Sequence, residues 1–470
     1  MENSNKNELS VAMVIISVII LFSFYAYTSN NKDNSQIQKK EKTKITKVME
    51  KTIKFSANLD NRYYYNNSEV YLNLDLRAEE SEGKIERTPL NMSVVLDKSG
   101  SMSSKNKLDF VKKAVEHIID ELSYDDYFSL VTYDDNVSVV YFSSQVEDKT
   151  LLKNEVRRIV SGGFTNLSGG MNEGYRQVEK TIKRGYVNRV LLLSDGLANR
   201  GITDRFELRN IPKNKSSNEG ITISTFGVGN DFNENLMADI ANYGKGNYYY
   251  IKNSDDIPEI FANELRGVRV LAAQDTRIRI KFPSDYLEIK NVFGYHYEVQ
   301  GDEITISLKD VFAGQRKNIM VKFNIKKKIN SRLEFESYLT YDDARADLVK
   351  VEEKIITTLE PARTKVEFDD GLNVTVKQNV VTFEANEIME LALQDADNGN
   401  YEEARAKMKK GKEYLDEQNN AIPQSAEMKE QYDNMEKYDK DLTGAETKSE
   451  ESRKEMQKEG KYDNYKTRQK

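Results

Sequence analysis

Short apolar runs alternate with helically spaced apolar residues between about residues 89 and 269 of this chain. Continuous apolar runs of this length are typical of strands buried on both faces of a sheet, and apolar residues at every third or fourth position are typical of amphipathic helices. The alternation predicts an α/β domain, with a mainly parallel sheet and helices on both of its faces. The predicted strands are 92–96, 127–133, 137–142, 187–193, 222–227 and 248–251, and the predicted helices are 107–122, 150–159, 167–183, 204–211, 233–242 and 257–268.

Strict alternation of apolar and polar residues flanks this domain on both sides. Residues 51–88 carry Val70, Leu72, Leu74 and Leu76 at every second position, and residues 270–360 consist of short alternating runs separated by turns. Such runs are typical of half-exposed strands in an antiparallel sandwich. Because the early strands need partners, we predict that one β-sandwich is built from both segments and that the α/β domain, 89–269, is inserted in it.

The first 50 residues contain a segment with the length and composition of a membrane anchor. Residues 9–27 are apolar apart from three serines, and 19 helical residues span roughly 28 Å, close to the thickness of a bilayer core. We predict a single transmembrane anchor over 1–28 and a polar stalk over 29–50. The alternative is a cleaved secretory signal, since Ala26 and Thr28 are small enough to mark a cleavage site. The lysines of the stalk favour a cytoplasmic body, whereas the export of similar chains favours an extracytoplasmic one, which is our expectation.

Beyond residue 361 the pattern becomes helical. Two apolar stripes at helical spacing, separated at Gly399 and Asn400, predict an α-helical hairpin that packs on the sandwich and ends, with its linker, near residue 442. The phrase N-Y-E-E-A-R resembles half of a tetratricopeptide unit, but one unit does not make a solenoid. Residues 443–470 are almost all charged or polar, so a disordered tail is expected there.

Composition narrows the classes of function. The net charge of −7 and the lack of a basic-aromatic patch argue against nucleic acid as a partner. With no cysteine there is no disulfide framework or thiolate metal site. Catalysis is not expected either, because no G-x-S-x-G turn surrounds Ser99 and neither His117 nor His296 is placed to activate it. We therefore predict neither an enzyme nor a small-molecule substrate.

The candidate chemistry lies where the first strand of the α/β domain ends. Asp97, Ser99 and Ser101 form a D-x-S-x-S sequence in a polar loop that precedes a helix. Ligands of α/β folds bind at the carboxyl ends of the strands, and one carboxylate with two hydroxyls is a set of hard oxygen ligands that suits Mg²⁺, Ca²⁺ or Mn²⁺. The alternative is structural, because serines at this position can cap a helix and aspartate can form a turn.

This D-x-S-x-S resembles the metal-ion-dependent adhesion site of von Willebrand factor type A domains. The family's pattern includes a distant threonine and a distant aspartate, matched here by Thr165 in G-G-F-T-N-L-S-G-G and Asp195 in R-V-L-L-L-S-D-G. The resemblance implies a Rossmann-like domain with 137–142 as an antiparallel edge strand. It also implies one divalent ion held by Asp97, Ser99, Ser101, Thr165 and Asp195.

In that family an Asp or Glu of a protein partner completes the metal shell. The resemblance thus implies a membrane-anchored, metal-dependent protein-binding module that serves adhesion or complex assembly. The layout over about residues 52–420, with the phrases L-S-D-G-L-A-N and G-N-Y-Y-Y-I, also resembles bacterial proteins similar to calcium-activated chloride channel regulators. Two alternatives remain open: a scaffold or regulator of an envelope membrane complex, and metal-independent self-association.

Overall fold

The computed structural model describes residues 51–469 except 67, 81–86, 196–197, 267–269 and 309. The predicted anchor and stalk, residues 1–50, lie outside this part of the chain. Within it, no helix combines the length and the apolar character needed to cross a membrane.

The α/β domain contains a six-stranded sheet with the order β6-β5-β4-β7-β8-β9. All neighbouring strands are parallel except β6, which pairs antiparallel with β5 at the edge, as expected. Every residue of β4, β7 and β8 is buried, as expected from apolar runs such as 190–193. The strands are β4 (Leu90–Asp97), β5 (Tyr127–Tyr133), β6 (Val137–Gln145), β7 (Val187–Ser194), β8 (Thr222–Val228) and β9 (Lys245–Ile251).

Helices cover both faces of this sheet, and each face has its own apolar core. The first, second and sixth helices pack on one face, and the third, fourth and fifth pack on the other. Two glycines let the third helix lie directly against the sheet: a Cβ on Gly174 would lie 2.3 Å from a methyl of Val95, and one on Gly170 would lie 2.4 Å from the ring of Tyr133. The helices are α1 (Lys107–Glu121), α2 (Lys149–Arg157), α3 (Leu167–Glu179), α4 (Arg205–Asn218), α5 (Glu234–Tyr243) and α6 (Ile257–Arg266).

The sandwich is built from segments on both sides of the α/β domain. One sheet has the order β1-β3-β15-β11, in which β3 pairs along nine residues with β15 although more than 200 residues separate them in the chain. The other sheet has the order β12-β13-β10-β16-β17-β2, with β14 paired to β10. The strands are β1 (Ile53–Leu59), β2 (Tyr63–Tyr64), β3 (Glu69–Ala78), β10 (Leu271–Lys281), β11 (Leu287–Val292), β12 (Tyr297–Gln300), β13 (Glu303–Ser307), β14 (Val311–Phe312), β15 (Arg316–Ile325), β16 (Leu333–Asp343) and β17 (Val349–Pro361).

The C-terminal region is helical, but it is larger than a hairpin. Four long helices share one core, and the first of them also packs on the sandwich through Val376, Val380 and Phe383. The helices are α7 (Lys365–Asp370), α8 (Val374–Asp397), α9 (Tyr401–Asn419), α10 (Ala426–Leu442) and α11 (Glu450–Gln469).

The expectation of a disordered tail over 443–470 is wrong, because α11 lies against the α/β domain. Tyr462 and Tyr465 pack edge-on against Tyr248 of β9. The charges that suggested disorder form ion pairs across this contact: Lys252 pairs with Glu455 at 2.6 Å and with Glu459 at 2.5 Å. Composition alone therefore suggested a solvated segment, whereas the charged residues pair with opposite charges of the α/β domain.

Candidate metal centre

Asp97 is the last residue of β4, and its carboxylate is completely buried. One oxygen accepts a hydrogen bond from the backbone N–H of Ser99 at 2.8 Å, and the other accepts one from Ser194 Oγ at 2.7 Å. Burial raises the pKa of Asp97 to about 6, although these hydrogen bonds favour the ionised form. The carboxylate is therefore held in one orientation at the carboxyl edge of the sheet.

The two serine hydroxyls after Asp97 point toward each other and toward the neighbouring strand β7. Ser99 Oγ lies 3.1 Å from Ser101 Oγ, and Ser101 Oγ donates to Asp195 Oδ1 at 2.8 Å. Ser99 occupies the N-cap position of the 3₁₀ turn Gly100–Asn106, yet its side chain makes no capping hydrogen bond. The structural alternative of helix capping thus does not account for either hydroxyl. Ser99 is buried, whereas Ser101 is exposed, so the cluster opens to solvent on the Ser101 side.

Asp195 follows β7 directly and is also completely buried. Because β4 and β7 are adjacent and parallel, their carboxyl ends bring Asp97 and Asp195 to the same edge of the sheet. Ser194 binds Asp97 while Ser101 binds Asp195. The two loops are thus joined by hydrogen bonds in both directions.

Thr165 lies in a loop that is bound to both of these segments. Gly162 N donates to Lys98 O at 2.8 Å, and Gly100 N donates to Gly163 O at 2.9 Å. Asn199, four residues after Asp195, accepts from the Thr165 N–H through its side chain at 2.8 Å. Thr165 is buried between these loops, so all five residues of the sequence pattern lie in three loops that contact one another.

Gly163 gives the Thr165 loop its shape. Its φ of +78° is a conformation that residues with a side chain rarely adopt, and a Cβ there would lie 2.6 Å from Asp135 Oδ2. The close approach lets Asp135 accept a hydrogen bond from the N–H of Phe164 at 3.1 Å. Gly163, the second glycine of the G-G-F-T sequence, therefore allows the loop conformation that places Thr165.

Two charged residues near the site were missed by the sequence analysis. Lys107 Nζ donates to Asp195 Oδ2 at 2.7 Å and to Asp231 Oδ2 at 2.8 Å. Burial opposes the charge on Lys107, but the hydrogen bonds to both carboxylates outweigh it, and the net effect raises the pKa of the lysine. The signal was present in the sequence, because Lys107 lies four residues before Val111 and so falls on the buried stripe of α1.

The donor set suits a small divalent cation. It combines two carboxylates with three hydroxyl side chains, all hard oxygen donors. Among the described residues no cluster of three or more His, Cys, Asp or Glu residues could hold a metal, so a cation here would depend on the hydroxyls as well as on Asp97 and Asp195. The hydroxyls of Ser99 and Ser101, which contact each other and Asp195, fit this role.

The comparisons with known proteins identify the class of the α/β domain. Residues 91–263 match the von Willebrand factor type A domain family. The chain therefore contains a domain of this class, and such domains generally mediate protein–protein interactions.

Curated relatives share this part of the chain. The uncharacterized protein YfbK of Escherichia coli (strain K12) is 30% identical over 232 residues, which are 49% of this chain and 40% of that protein. Inter-alpha-trypsin inhibitor heavy chain H3 of Mus musculus is 23% identical over 47% of this chain and 25% of its own length. The chain thus spans less than half the length of these relatives.

Two solved structures match the fold well beyond the α/β domain. A von Willebrand factor type A protein from Catenulispora acidiphila has a TM-score of 0.66 and 16% identity, and the match covers 83% of this chain and 89% of that one. The ArnB paralog VWA2 from Sulfolobus acidocaldarius has a TM-score of 0.59 and 16% identity over 87% of this chain and 98% of that one. At this identity the likeness establishes the fold alone. The resemblance to channel regulators stays a prediction.

Proposed function

We propose that the chain is a membrane-anchored, divalent-metal-dependent protein-binding module, in which a carboxylate of a protein partner completes the shell of the metal. The observation that carries the proposal is a hydrogen-bonded cluster of Ser99, Ser101 and Asp195. Neither serine hydroxyl in this cluster caps a helix. Mg²⁺ is the proposed ion, with Ca²⁺ or Mn²⁺ as alternatives.

Each of the five residues has a proposed role. Ser99 and Ser101 would bind the ion directly, and Asp97, Thr165 and Asp195 would bind it directly or through water. When bound, the ion supplies a Lewis-acidic position for an oxygen of the partner. Ser194 and the Ser99 N–H orient the Asp97 carboxylate, as supporting hydrogen bonds do at metal sites.

The rim of the site has features that suit a protein partner. Phe164, next to Thr165, is an exposed aromatic residue, and the guanidinium of Arg200 lies 4.6 Å from its ring centre. Aromatic and arginine side chains are enriched among residues that dominate protein interfaces. We therefore propose an acidic partner segment that also presents apolar surface, rather than a small molecule.

No catalytic role is proposed. The neighbours of Ser99 Oγ in the site are hydroxyl and carboxylate groups, and His296 is occupied elsewhere, stacked 3.6 Å from the ring of Tyr243.

For the location, we propose a single-pass protein of the cell membrane with most of the chain outside the cytoplasm. A scaffold within an envelope complex remains the second candidate, since the helical region is large and packs on both other domains.

A peptide panel tests the proposed function directly. The full-length chain, purified in detergent, is exposed to displayed peptides that carry a central Asp or Glu, and to matched peptides with Asn or Gln. We expect Mg²⁺ to bind by calorimetry and the acidic peptides alone to be captured, with capture lost in EDTA. Capture that persists in EDTA would reject metal dependence. Sedimentation with and without Mg²⁺ separates this function from self-association, which would not respond to the ion.

The raised pKa of Asp97 predicts how metal binding depends on pH. Without metal, a folded pKa of about 6 against an ordinary value of 3.8 means that the folded state favours the protonated carboxyl. This group's contribution to stability is therefore present at low pH and is lost as the pH rises through 6. Mg²⁺ needs the ionised form, so its affinity should fall by about tenfold per pH unit below pH 6. We expect the rise in Tm caused by Mg²⁺ to be smaller at about pH 5 than at about pH 7.5; an equal rise would contradict the assignment of Asp97.

A further inference from the structure

Lys107 places a positive charge directly behind the proposed metal site. Only 2% of its side chain is exposed, and its ammonium nitrogen lies 2.7 Å from Asp195 Oδ2. The other oxygen of the same carboxylate accepts from Ser101. Asp195 is therefore shared between a fixed ammonium on one side and the hydroxyl cluster on the other.

The surrounding chain is shaped to hold this lysine. Gly229, in the loop after β8, has a φ of +69°, and a Cβ there would lie 2.8 Å from Lys107 Cε. Two residues later, Asp231 accepts the second hydrogen bond of the ammonium at 2.8 Å. Asp231 is half exposed, and Lys454 of α11 lies 3.9 Å from it. Its negative charge is thus screened by solvent and by a second cation, whereas the pair of Lys107 and Asp195 is buried.

We infer that Lys107 is a built-in counter-cation that limits the affinity of the site for a divalent ion and leaves the loaded site with a net positive charge. This inference rests on the proposed function. Asp97 and Asp195 contribute two negative charges, and Lys107 cancels one of them. A divalent ion added to that set leaves an excess of one positive charge beside the buried pair of Lys107 and Asp195, where Coulomb interactions are stronger than in bulk water.

This charge balance predicts the kind of partner group that the site selects. A partner's carboxylate would neutralise the remaining charge, whereas an amide or hydroxyl of similar shape would not. Without Lys107 the two aspartates alone would neutralise the ion, so the ion would bind more tightly and the carboxylate would bind more weakly. The structure thus assigns Lys107 as a positioning and charge-setting residue that exchanges metal affinity for selectivity toward anionic partners.

The test measures Mg²⁺ alone and acidic peptides separately on the full-length chain. Lys107→Met keeps most of the length of the side chain and removes its charge. We expect it to tighten Mg²⁺ binding by about tenfold or more in calorimetry, and to weaken Mg²⁺-dependent capture of Asp- or Glu-containing peptides. If the role of Lys107 were purely structural, its replacement would weaken both Mg²⁺ binding and peptide capture. Lys107→Arg, which keeps the charge in a larger side chain, is expected to bind Mg²⁺ less tightly than Lys107→Met.

Lys105→Met is the matched control, since it removes the same charge two residues away. Lys105 is exposed and pairs with Glu451, so Mg²⁺ affinity should stay within about twofold. Asp231→Asn serves as a second variant if Lys107→Met does not fold, because it lies at a half-exposed position. It should weaken Mg²⁺ binding by a few-fold, since Lys107 then interacts with Asp195 alone.

The two proposals fail in different ways. If the unchanged protein binds no Mg²⁺, the metal-dependent function is rejected together with this inference. If it binds Mg²⁺ but Lys107→Met binds the ion equally or less tightly, only the inference is overturned. Unchanged peptide capture by Lys107→Met would overturn the claim about partner selectivity.

Discussion

Replacing Asp97 with asparagine is expected to weaken Mg²⁺ binding by about a hundredfold or more while leaving the fold intact. The carboxylate supplies one of only two full negative charges among the proposed ligands. The amide keeps its shape and still accepts the hydrogen bond from Ser99 N, which now measures 2.8 Å. Burial already disfavours the ionised form of Asp97, so the neutral amide should not lower the free energy of unfolding in EDTA by more than about 1 kcal/mol. Calorimetry with Mg²⁺ and chemical denaturation in EDTA measure the two effects separately.

Asp148→Asn is the matched control for this prediction. Asp148 also accepts backbone hydrogen bonds, from Thr150 and Leu151 at the start of α2, but it lies outside the three loops of the site. An asparagine there remains a good cap, so Mg²⁺ affinity and stability should both stay close to those of the unchanged protein. Equal loss of Mg²⁺ affinity in both variants would show that the effect of Asp97→Asn is a general one of charge.

Asp97→Asn should also abolish the Mg²⁺-dependent capture of acidic peptides. At a Mg²⁺ concentration that saturates only the unchanged protein, the variant holds almost no ion for the partner's carboxylate, so the loss should equal that caused by EDTA. Capture by Asp97→Asn at the level of the unchanged protein would reject the proposed role of the site even if Mg²⁺ binding were lost.

The sequence predicted the α/β domain well because local patterns and the global fold agree there. The run from Met92 to Leu96 is apolar except for Ser93, and the structure buries it in the centre of the sheet. Asp195 and Thr165 were both assigned to the site through the family resemblance. The structure explains the position of Asp195, because adjacent parallel strands end at the same edge. Nothing in the local pattern of the Thr165 loop indicates which strand end it approaches.

Other features depend on contacts that a single sequence does not reveal. Ser194 follows the predicted strand 187–193 and was given no role, but its hydroxyl orients Asp97. Residues 443–470 were expected to form a disordered tail, because almost all of them are charged or polar. Their partners are distant in the chain: Lys461 binds Glu234 at 2.5 Å, and Tyr465 packs on Tyr248. Charge pairing between segments two hundred residues apart leaves no periodic signal in either segment.

The largest effect on stability is expected from Glu264→Ala, at the other end of the same sheet. Glu264 lies on α6, is almost completely buried, and pairs with Arg189 of β7 at 2.6 Å. It also accepts hydrogen bonds from Ser224, Asn247 and Tyr249. Removing it leaves the guanidinium of Arg189 buried without its carboxylate, which should cost about 3–5 kcal/mol in the free energy of unfolding. Denaturation in urea measures the loss.

Glu116→Ala provides the contrast for this prediction. Glu116 forms a two-fold hydrogen-bonded pair with Arg157, with both contacts at 2.9 Å, but the arginine is more than half exposed. An exposed pair contributes little, so this variant should lose less than about 1 kcal/mol. A loss at Glu264 as small as that at Glu116 would show that the buried network does not hold α6 to the sheet.

Substitutions near the two ends of β7 should therefore affect stability and metal binding independently. Arg189 lies near the start of this strand and Asp195 follows its end, and six residues of extended chain span roughly 20 Å. The groups around Glu264 and Asp97 thus lie at opposite ends of the strand, and effects at such separations usually add. Glu264→Ala, studied where it is still folded, should bind Mg²⁺ as the unchanged protein does. The double variant Asp97→Asn with Glu264→Ala should show the full loss of each. A Mg²⁺ affinity that falls with Glu264→Ala alone would mean that the metal site depends on strain transmitted through the sheet, and not only on the three loops at its edge.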